Sequence, residues 1–341
     1  MSRPTICKKT MQSNENNPVE ALRLQLAPEM QSVNSLINAY MKSEVTPIIP
    51  KLTHHLINAG GKRIRPLLTL AAANLCNYKG TSHIQLAAAI EFIHTATLLH
   101  DDVVDKSLQR RGKPTANLLW DNPSSILVGD YLFSKSFQLM VEANSLKVLS
   151  VLADASATIS EGEILQLSAV KNINIDEETY FKIIDGKTAA LFAAATKVGA
   201  IISNMDEIHV NALSNFGRAL GISFQITDDL LDYTGFEQNL GKNIGDDYRE
   251  GKMTLPLIKA INKSEGEETL FWEKTIGKGV REPSDLNQAI FLMKKYGAFH
   301  DTRREAILWA SKAANQLKIF PECKIKTTLK ELTSFVVSRI N

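Results

Sequence analysis

The feature that most constrains the fold is a largely apolar segment, residues 84–99, that runs directly into Asp101, Asp102 and Asp105. An apolar segment of this length belongs in an interior, where carboxylates are costly unless a cation meets them. On a helix, Asp101 and Asp105 lie one turn apart on the same face. Their mutual repulsion favours a bound cation, and a few carboxylate oxygens suit Mg²⁺, which completes its shell with water and phosphate oxygens.

The same acidic spacing recurs later in the chain, in the segment FQITDDLLD. Gln225, Asp228, Asp229 and Asp232 share one helical face there. A single DDxxD segment is weak evidence, because acidic pairs are common on solvated helices. Two such segments, each closing an apolar helix, indicate helices that face each other and hold several Mg²⁺ ions on one diphosphate.

Cationic segments accompany the two acidic ones. The turn GGKRIRP leads into a helix, whose N-terminus adds partial positive charge. A second basic turn, RRGKP, follows the first acidic segment and suits diphosphate oxygens. A lysine lies inside an apolar helix, and a loop rich in Gly, Asp and Lys follows the second acidic segment. The cations and polar partners selected in this way are Lys62, Arg65, His94, Arg110, Arg111, Lys187, Thr188, Lys242 and Lys252.

Composition excludes several classes of function. The 341 residues are 44% hydrophobic and carry a net charge of only +2, so a nucleic-acid-binding surface is not expected. Three widely spaced cysteines give neither a disulfide framework nor a zinc site. The polar N-terminus does not resemble a secretory signal, and no uncharged apolar run is long enough to span a membrane. We therefore expect a cytoplasmic protein.

Helical periodicity dominates the chain from Pro18 onward, and Ala and Leu are abundant. We expect a flexible tail over residues 1–17 and a single all-α domain over 18–341. The predicted helices span 19–44, 48–58, 66–76, 82–106, 124–142, 146–168, 177–202, 206–233, 254–262, 284–296, 299–318 and 325–338.

Several segments in this order resemble the trans-isoprenyl diphosphate synthases, above all the long-chain octaprenyl, solanesyl and decaprenyl diphosphate synthases that make quinone side chains. The resemblance covers roughly residues 20–340. It implies an all-α bundle of long helices around a deep central cavity, and a homodimer. The segments are GGKRIRP, EFIHTATLLHDDVVD, RRGKPTAN, GDYLFSKSF, DGKTAALF, GISFQITDDLLDY and GKNIGDDYREGKMTLP.

The resemblance also implies a role for each selected residue. Six aspartates surround about three Mg²⁺ ions that hold an allylic diphosphate, farnesyl or geranyl; they are Asp101, Asp102, Asp105, Asp228, Asp229 and Asp232. Arg110, Lys187 and Lys252 stabilise charge on the leaving diphosphate, with Lys242 in the same loop. A helix break around Lys187 and Thr188, together with the amide of Gln225, supplies dipoles for the allylic cation. Isopentenyl diphosphate is held by Lys62, Arg65, His94 and Arg111.

Product length depends on the residues that precede Asp101 on its helix. Thr97 and Ala96 lie about 6–7.5 Å before it along the axis. Short-chain members of the family carry aromatic residues at these positions, so small residues imply a long product. Met140 and Phe137 are candidates for the floor of the cavity. We expect octaprenyl diphosphate (C40), with nona- or decaprenyl diphosphate as alternatives, and transient contact with a membrane as the product leaves.

Three other functions were weighed. A class I terpene cyclase also uses DDxxD, but its second metal motif differs and it lacks the GGKxxRP turn. A phosphohydrolase of the His-Asp type needs further upstream ligands, and His54 and His55 have no acidic partner. A non-catalytic subunit of a heteromeric synthase commonly lacks one acidic segment, whereas both are intact here.

Overall fold

The computed structural model describes residues 17–58, 60–110, 112–235 and 244–340. Almost every element in these ranges is a helix, so the predicted all-α class is confirmed. The one sheet is a hairpin of four residues, in which β1 (Gln109–Arg110) pairs antiparallel with β2 (Lys113–Pro114). Most of the predicted tail, together with Arg111 and Lys242, lies outside the described residues.

The helices follow one another with short connections. In chain order they are α1 Pro18–Gln25, α2 Ala27–Tyr40, α3 Ile48–Asn58, α4 Ile64–Leu75, α5 Ser82–Val104, α6 Ala116–Leu119, α7 Asn122–Glu142, α8 Leu146–Ala169, α9 Glu177–Ile184, α10 Ala190–Ile202, α11 Glu207–Thr234, α12 Asp246–Glu250, α13 Leu255–Ile261, α14 Glu267–Trp272, α15 Asp285–Lys295, α16 Ala298–Gln316 and α17 Lys324–Ser338. Two π-helical turns, Asp185–Ala189 and Glu273–Gly277, and one 3₁₀ turn, Leu317–Ile319, complete the set.

Side-chain caps explain where several helices begin. Asp121, Ser145, Asp176 and Asp206 each accept a hydrogen bond from a backbone N–H in the first turn of α7, α8, α9 and α11, respectively. Such caps satisfy N–H groups that have no partner within the helix. The local sequence therefore fixes where α8, α9 and α11 begin, whereas α4 and α5 begin without a side-chain cap.

Two predicted helices were wrong in detail. The helix predicted over 19–44 is two helices that meet at Leu26 and end at Tyr40, with Pro28 in the first turn of the second. The helix predicted over 177–202 is interrupted by the π-helical turn Asp185–Ala189. The hairpin, α6, α12 and α14 were not predicted at all. These four elements are short and carry too few residues to show a period.

Buried apolar side chains form two clusters that meet along α11. The larger one packs α2, α4, α5, α7 and α10 around the first half of α11, which contributes Phe216 and Leu220. The smaller one surrounds the second half, with Ile222 and Ile226, and includes Trp272. Since Gly217 and Gly221 approach the backbone of α10 and of the π-helical turn, α11 fixes the position of both. None of the described helices is both long and apolar enough to cross a membrane.

Candidate active site

Each aspartate at the end of α5 faces a cation from another part of the chain. Lys187 Nζ lies 3.8 Å from Asp101 Oδ2, and Lys252 Nζ donates to Asp105 Oδ2 at 3.0 Å. Asp102, which is 1% exposed, accepts from Arg110 Nη2 at 2.7 Å and from Arg110 Nε at 2.9 Å. The burial of these carboxylates is therefore compensated by charge, as their position after an apolar segment requires.

The aspartates of α11 have three different environments. Asp228 pairs with Arg339 at 2.8 Å, just after the end of α17. Asp229 is buried and accepts from Tyr180 Oη and Gln225 Nε2, each at 2.7 Å. Asp232 Oδ2 accepts from the backbone N–H of Asp247 at 3.2 Å. The contact at Asp228 is thus an ion pair, whereas those described at Asp229 and Asp232 are hydrogen bonds from neutral groups.

Two chains of contacts connect the acidic ends of α5 and α11. Lys252, the partner of Asp105, donates its backbone N–H to Asp247 O at 2.9 Å, and Asp247 in turn donates to Asp232. Lys187, near Asp101, is followed by Thr188, whose hydroxyl donates to Gln225 Oε1 at 2.7 Å. The two acidic segments therefore converge on one region, as the sequence predicted.

Lys187 is held by α8. Its Nζ lies 2.9 Å from Glu163 Oε2 and 2.8 Å from Gln166 Oε1. The π-helical turn can approach α8 this closely because both helices have glycine at the crossing: a Cβ on Gly162 would lie 2.7 Å from Lys187 N. π-Helical turns often occur at functional sites. Glu163 and Gln166 thus contact the predicted lysine directly.

Charge and burial shift the pKa of three groups. Burial raises the pKa of Asp101 to about 6, with Lys187 opposing the shift and Glu163 and Asp105 adding to it. Burial and the nearby Asp247 raise the pKa of Asp229 to about 7. For Lys252, burial would lower the pKa, but Asp105, Asp247 and Glu250 outweigh burial and raise it. Burial is thus the main cause of the shifts at Asp101 and Asp229, and neighbouring carboxylates add to it, so a bound cation would favour the ionised form of both groups.

The predicted isopentenyl diphosphate residues lie at the start of α4 and on α5. Arg65 Nη1 is 3.1 Å from His94 Nε2, and its guanidinium stacks over Phe192 at 4.6 Å. Lys62 Nζ lies 5.9 Å from the centre of the Phe335 ring, and burial, with Arg339 adding to it, lowers the pKa of Lys62. A cleft beside them is lined by Arg63, Phe92, His94, Asp102, Arg110 and Leu132. Three of the four predicted residues thus share one region, and the fourth, Arg111, is outside the described residues.

The predicted chain-length residues are not all in the interior. Ala96 and Met140 are buried in the larger apolar cluster, and Thr97 donates its hydroxyl to His94 O at 2.8 Å. Phe137 is 38% exposed and packs edge-on against Phe133. Ala96 and Met140 therefore fit the wall of an internal cavity better than Phe137 does.

The donor atoms suit magnesium. No group of three or more His, Cys, Asp or Glu side chains is arranged as a metal site within the described ranges. Asp101, Asp105 and Asp228 each pair with a side-chain cation, so their positions already favour positive charge. Their carboxylates offer only oxygen donors, which is the ligand type that Mg²⁺ prefers. Asp102 and Asp229 fit less well, because protein donors already hold both of their carboxylates.

Four residues of the site were not selected from the sequence for the roles they have here: Asn34, Tyr180, Asp247 and Arg339. Asn34 accepts a hydrogen bond from Arg63 in the GGKRIRP turn. Asp247 belongs to the loop rich in Gly, Asp and Lys that follows the second acidic segment. Tyr180 and Arg339 contact α11 from distant parts of the sequence, so no local pattern could have indicated them.

Comparison with known proteins agrees with this geometry. The polyprenyl synthetase family matches residues 46–293. Octaprenyl diphosphate synthases of Escherichia coli and Haemophilus influenzae are 42% and 40% identical; each match covers 92% of this chain, and 96% and 94% of the respective relative. A decaprenyl diphosphate synthase structure from Rhodobacter capsulatus has a TM-score of 0.92 and 53% identity, over 95% of this chain and all of that one.

A second solved structure is a polyprenyl synthase from Caulobacter crescentus complexed with calcium and isoprenyl diphosphate. It is 48% identical, with a TM-score of 0.91, over 95% of this chain and 98% of that one. Sequence, fold and converging acidic helices agree. The chain therefore belongs to the polyprenyl synthetase family and is a prenyltransferase of the long-chain trans-polyprenyl diphosphate synthase type.

Proposed function

We propose that this enzyme is an all-trans-octaprenyl diphosphate synthase, which adds isopentenyl diphosphate repeatedly to farnesyl or geranyl diphosphate until the chain reaches eight isoprene units (C40). The observation that carries the proposal is the convergence of two acidic helix ends on Lys187 and Lys252. The octaprenyl synthases at 40–42% identity favour this product. The 53% identity to a decaprenyl synthase makes a C50 product the second candidate, with C45 between them.

About three Mg²⁺ ions would be held mainly by Asp101, Asp105 and Asp228, with Asp232 beside them. Asp102 and Asp229 are already held by protein donors and would not coordinate the ions directly. When bound, Mg²⁺ supplies Lewis-acid stabilisation of the negative charge on the diphosphate. The Caulobacter relative, whose structure holds calcium and isoprenyl diphosphate, supports a divalent cation at this place.

Residues of the chain bind and polarise the allylic substrate. Arg110, Lys187 and Lys252 stabilise charge on the leaving oxygens as the allylic C–O bond breaks and its electron pair passes to the diphosphate. Lys242 would contribute from the same loop. Thr188 and the amide oxygen of Gln225 face the developing cation with partial negative charge, and buried apolar neighbours exclude water.

The second substrate, isopentenyl diphosphate, would be bound by Lys62, Arg65, His94 and Arg111. The Arg65–His94 contact and the Phe192 ring fix the direction of the guanidinium. The double bond of the bound substrate forms the new C–C bond to the allylic carbon. A proton then leaves the adjacent carbon for the released pyrophosphate, so no side chain is required as a base.

We further propose a cytoplasmic homodimer whose product supplies quinone side chains and that contacts a membrane transiently during product release. Helix α7 supports the dimer, because Ile126, Leu127, Phe137 and Val141 are exposed apolar side chains along it. Apolar surface of this kind on a helix favours association.

Incubation of the purified chain with radiolabelled isopentenyl diphosphate, farnesyl diphosphate and Mg²⁺ tests the proposal. We expect incorporation that EDTA abolishes and a product that co-migrates with C40 standards after dephosphorylation. Asp101→Ala and Asp228→Ala should each lower kcat by about 100-fold or more, while Asp154→Ala, an exposed residue on α8, should not. Release of a cyclic hydrocarbon would favour a terpene cyclase, and activity only with a second protein would favour a heteromeric subunit.

A further inference from the structure

Asp229 is the centre of a closed set of hydrogen bonds between α11 and the helix that contains the π-helical turn. Tyr180, on α9, donates its hydroxyl to one carboxylate oxygen at 2.7 Å, and Gln225 donates its amide N–H to the other at 2.7 Å. Thr188, in the π-helical turn, donates to the amide oxygen of Gln225 at 2.7 Å. Tyr180 and Asp229 are both buried. Two hydrogen bonds, Tyr180 to Asp229 and Thr188 to Gln225, thus join the two helices, and the Gln225–Asp229 bond within α11 connects them.

This arrangement determines which way the Gln225 amide points. The Nε2 atom of Gln225 donates to Asp229 Oδ1 and its Oε1 atom accepts from the Thr188 hydroxyl, so the NH₂ group faces Asp229 and the amide oxygen faces Thr188. An amide oxygen can accept two bonds, and Thr188 supplies one of them. A rotated Asp229 would remove this constraint and allow the NH₂ group to face Thr188 instead. The hydroxyl of Tyr180 opposes that rotation because it binds the second carboxylate oxygen.

We propose that Tyr180 is a positioning residue: it holds Asp229 away from the metal ions and, through Asp229, keeps the amide oxygen of Gln225 directed at the place where the allylic cation forms. This inference rests on the proposed function of Gln225. It assigns Asp229 to the orientation of a neighbouring side chain, whereas Asp101, Asp105 and Asp228 remain the metal ligands. Asp102 has a comparable environment on α5, since Arg110 binds both of its oxygens.

Tyr180→Phe tests the proposal, because it removes one hydroxyl and leaves the ring in place. We expect kcat to fall ~10- to 100-fold, less than the loss of a group that touches the transition state directly. The KM for both substrates and the Mg²⁺-dependent affinity for a non-reactive thiodiphosphate analogue of the primer should stay within about twofold. Tyr233→Phe is the matched control: Tyr233 is also buried, but its hydroxyl bonds with Thr254 at 3.0 Å. That variant should keep kcat within about twofold.

A double-mutant cycle identifies the route of the effect. In a Gln225→Leu background, adding Tyr180→Phe should cause no further loss of kcat, because its only target is already gone. Asp229→Asn is a second variant. It removes the carboxylate but keeps the size of the side chain, so we expect it to fold. It should lower kcat while the Mg²⁺ concentration for half-maximal analogue binding stays within about twofold.

Three results would overturn the proposal: an unchanged kcat for Tyr180→Phe, a full additional loss in the Gln225→Leu background, or a weakened Mg²⁺ dependence in Asp229→Asn. Failure of the proposed function itself has a different signature. The unmodified chain would then give no polyprenyl product, whereas failure of this inference leaves the activity of the unmodified chain intact.

Discussion

The three aspartates of the first DDxxD segment, at the end of α5, have different environments although they belong to one motif. Asp102 is enclosed by Arg110, Asp105 pairs with Lys252, and Asp101 lies farther from its cation, Lys187, than either of the others does. Asp101 also has the carboxylates of Asp105 and Glu163 nearby, which add to the effect of burial on its pKa. The spacing of the motif indicates metal binding, but contacts with distant residues determine which of the carboxylates is free of other donors and can bind a metal ion.

The raised pKa of Asp101 predicts a pH-dependent stability. Its pKa rises from 3.8 to about 6 on folding, so the folded protein binds this proton more tightly than the unfolded chain does. Stability from this group is therefore present below pH 4 and is lost as the pH rises through 6. Asp101→Asn cannot ionise, so we expect its stability relative to the unmodified protein to increase by about 2 kcal/mol between pH 4 and 7.

Urea unfolding in EDTA at several pH values measures this difference. Asp121→Asn is the control with the opposite sign, because hydrogen bonds from Ser124 lower the pKa of that exposed capping residue. The stability contributed by Asp121 is present at neutral pH and is lost as the pH falls. A pH-independent difference between Asp101→Asn and the unmodified protein would contradict the assignment.

Ala96 gives a prediction about product length. Ala96→Tyr introduces an aromatic ring into the buried face of α5, five residues before Asp101, and should block the growing chain. We expect the main product to shorten to about four isoprene units, because one residue adds only about 1.5 Å along a helix and the ring lies close to the reacting diphosphate. Chromatography of the dephosphorylated products measures this independently of the yield of folded enzyme. With Ala96→Ser, the product length should not change. A product of unchanged length from Ala96→Tyr would contradict the hypothesis that the growing chain passes Ala96.

At the scale of elements, the π-helical turn between α9 and α10 links α8 to α11 at the site. It contains Lys187 and Thr188, which contact Glu163 on α8 and Gln225 on α11, respectively. Glycines at the crossing with α8 permit the close approach. The position of Lys187 therefore depends on backbone packing as much as on its own side chain.

Gly162→Ala tests this dependence. The new Cβ would lie 2.7 Å from Lys187 N and displace the π-helical turn from α8. We expect a loss of stability of about 1–3 kcal/mol from overpacking, together with a fall in kcat of about 10-fold or more, because a small misplacement of a charge-stabilising group is costly.

Gly199→Ala is the matched control, since its Cβ would lie 2.8 Å from Ala73 N in the contact between α10 and α4, away from the acidic residues. Thermal unfolding and steady-state kinetics should show a similar loss of stability in both variants and a selective loss of kcat in Gly162→Ala. Equal kcat values would mean that the approach of α8 does not position Lys187.

Local sequence predicted the long helices but not the interruption within one of them. Caps such as Asp206 and prolines such as Pro28 mark helix starts, and apolar periodicity marks the faces. Apolar periodicity continues through the π-helical turn to Ala189, so periodicity alone does not separate the turn from a continuous helix. The break at Lys187 and Thr188 was implied only by the family resemblance, and the structure confirms it. Contacts between distant segments, such as Tyr180 with Asp229 and Arg339 with Asp228, depend on the assembled fold and had no local signal.

At the scale of the whole molecule, the exposed apolar side chains of α7 predict a dimer that one charge disrupts. Leu127 is 66% exposed on this helix. We expect Leu127→Asp to shift the protein from dimer to monomer in light-scattering measurements after size-exclusion chromatography, because a carboxylate buried without a partner opposes association. Leu270→Asp, at a residue 62% exposed on α14, should leave the dimer intact. A monomeric unmodified protein, or an unaffected Leu127→Asp dimer, would exclude this face.

The pairing of aspartates with lysines and arginines has a consequence for turnover. Lys187, Lys252 and Arg339 already face Asp101, Asp105 and Asp228, so these carboxylates would exchange one cationic partner for another when a metal ion and a diphosphate bind. The basic side chains released in that exchange would then pair with phosphate oxygens and would return to their carboxylates when pyrophosphate departs. An enzyme that repeats one condensation many times on the same lengthening lipid benefits from such reversibility, since each cycle ends with the charges where they began.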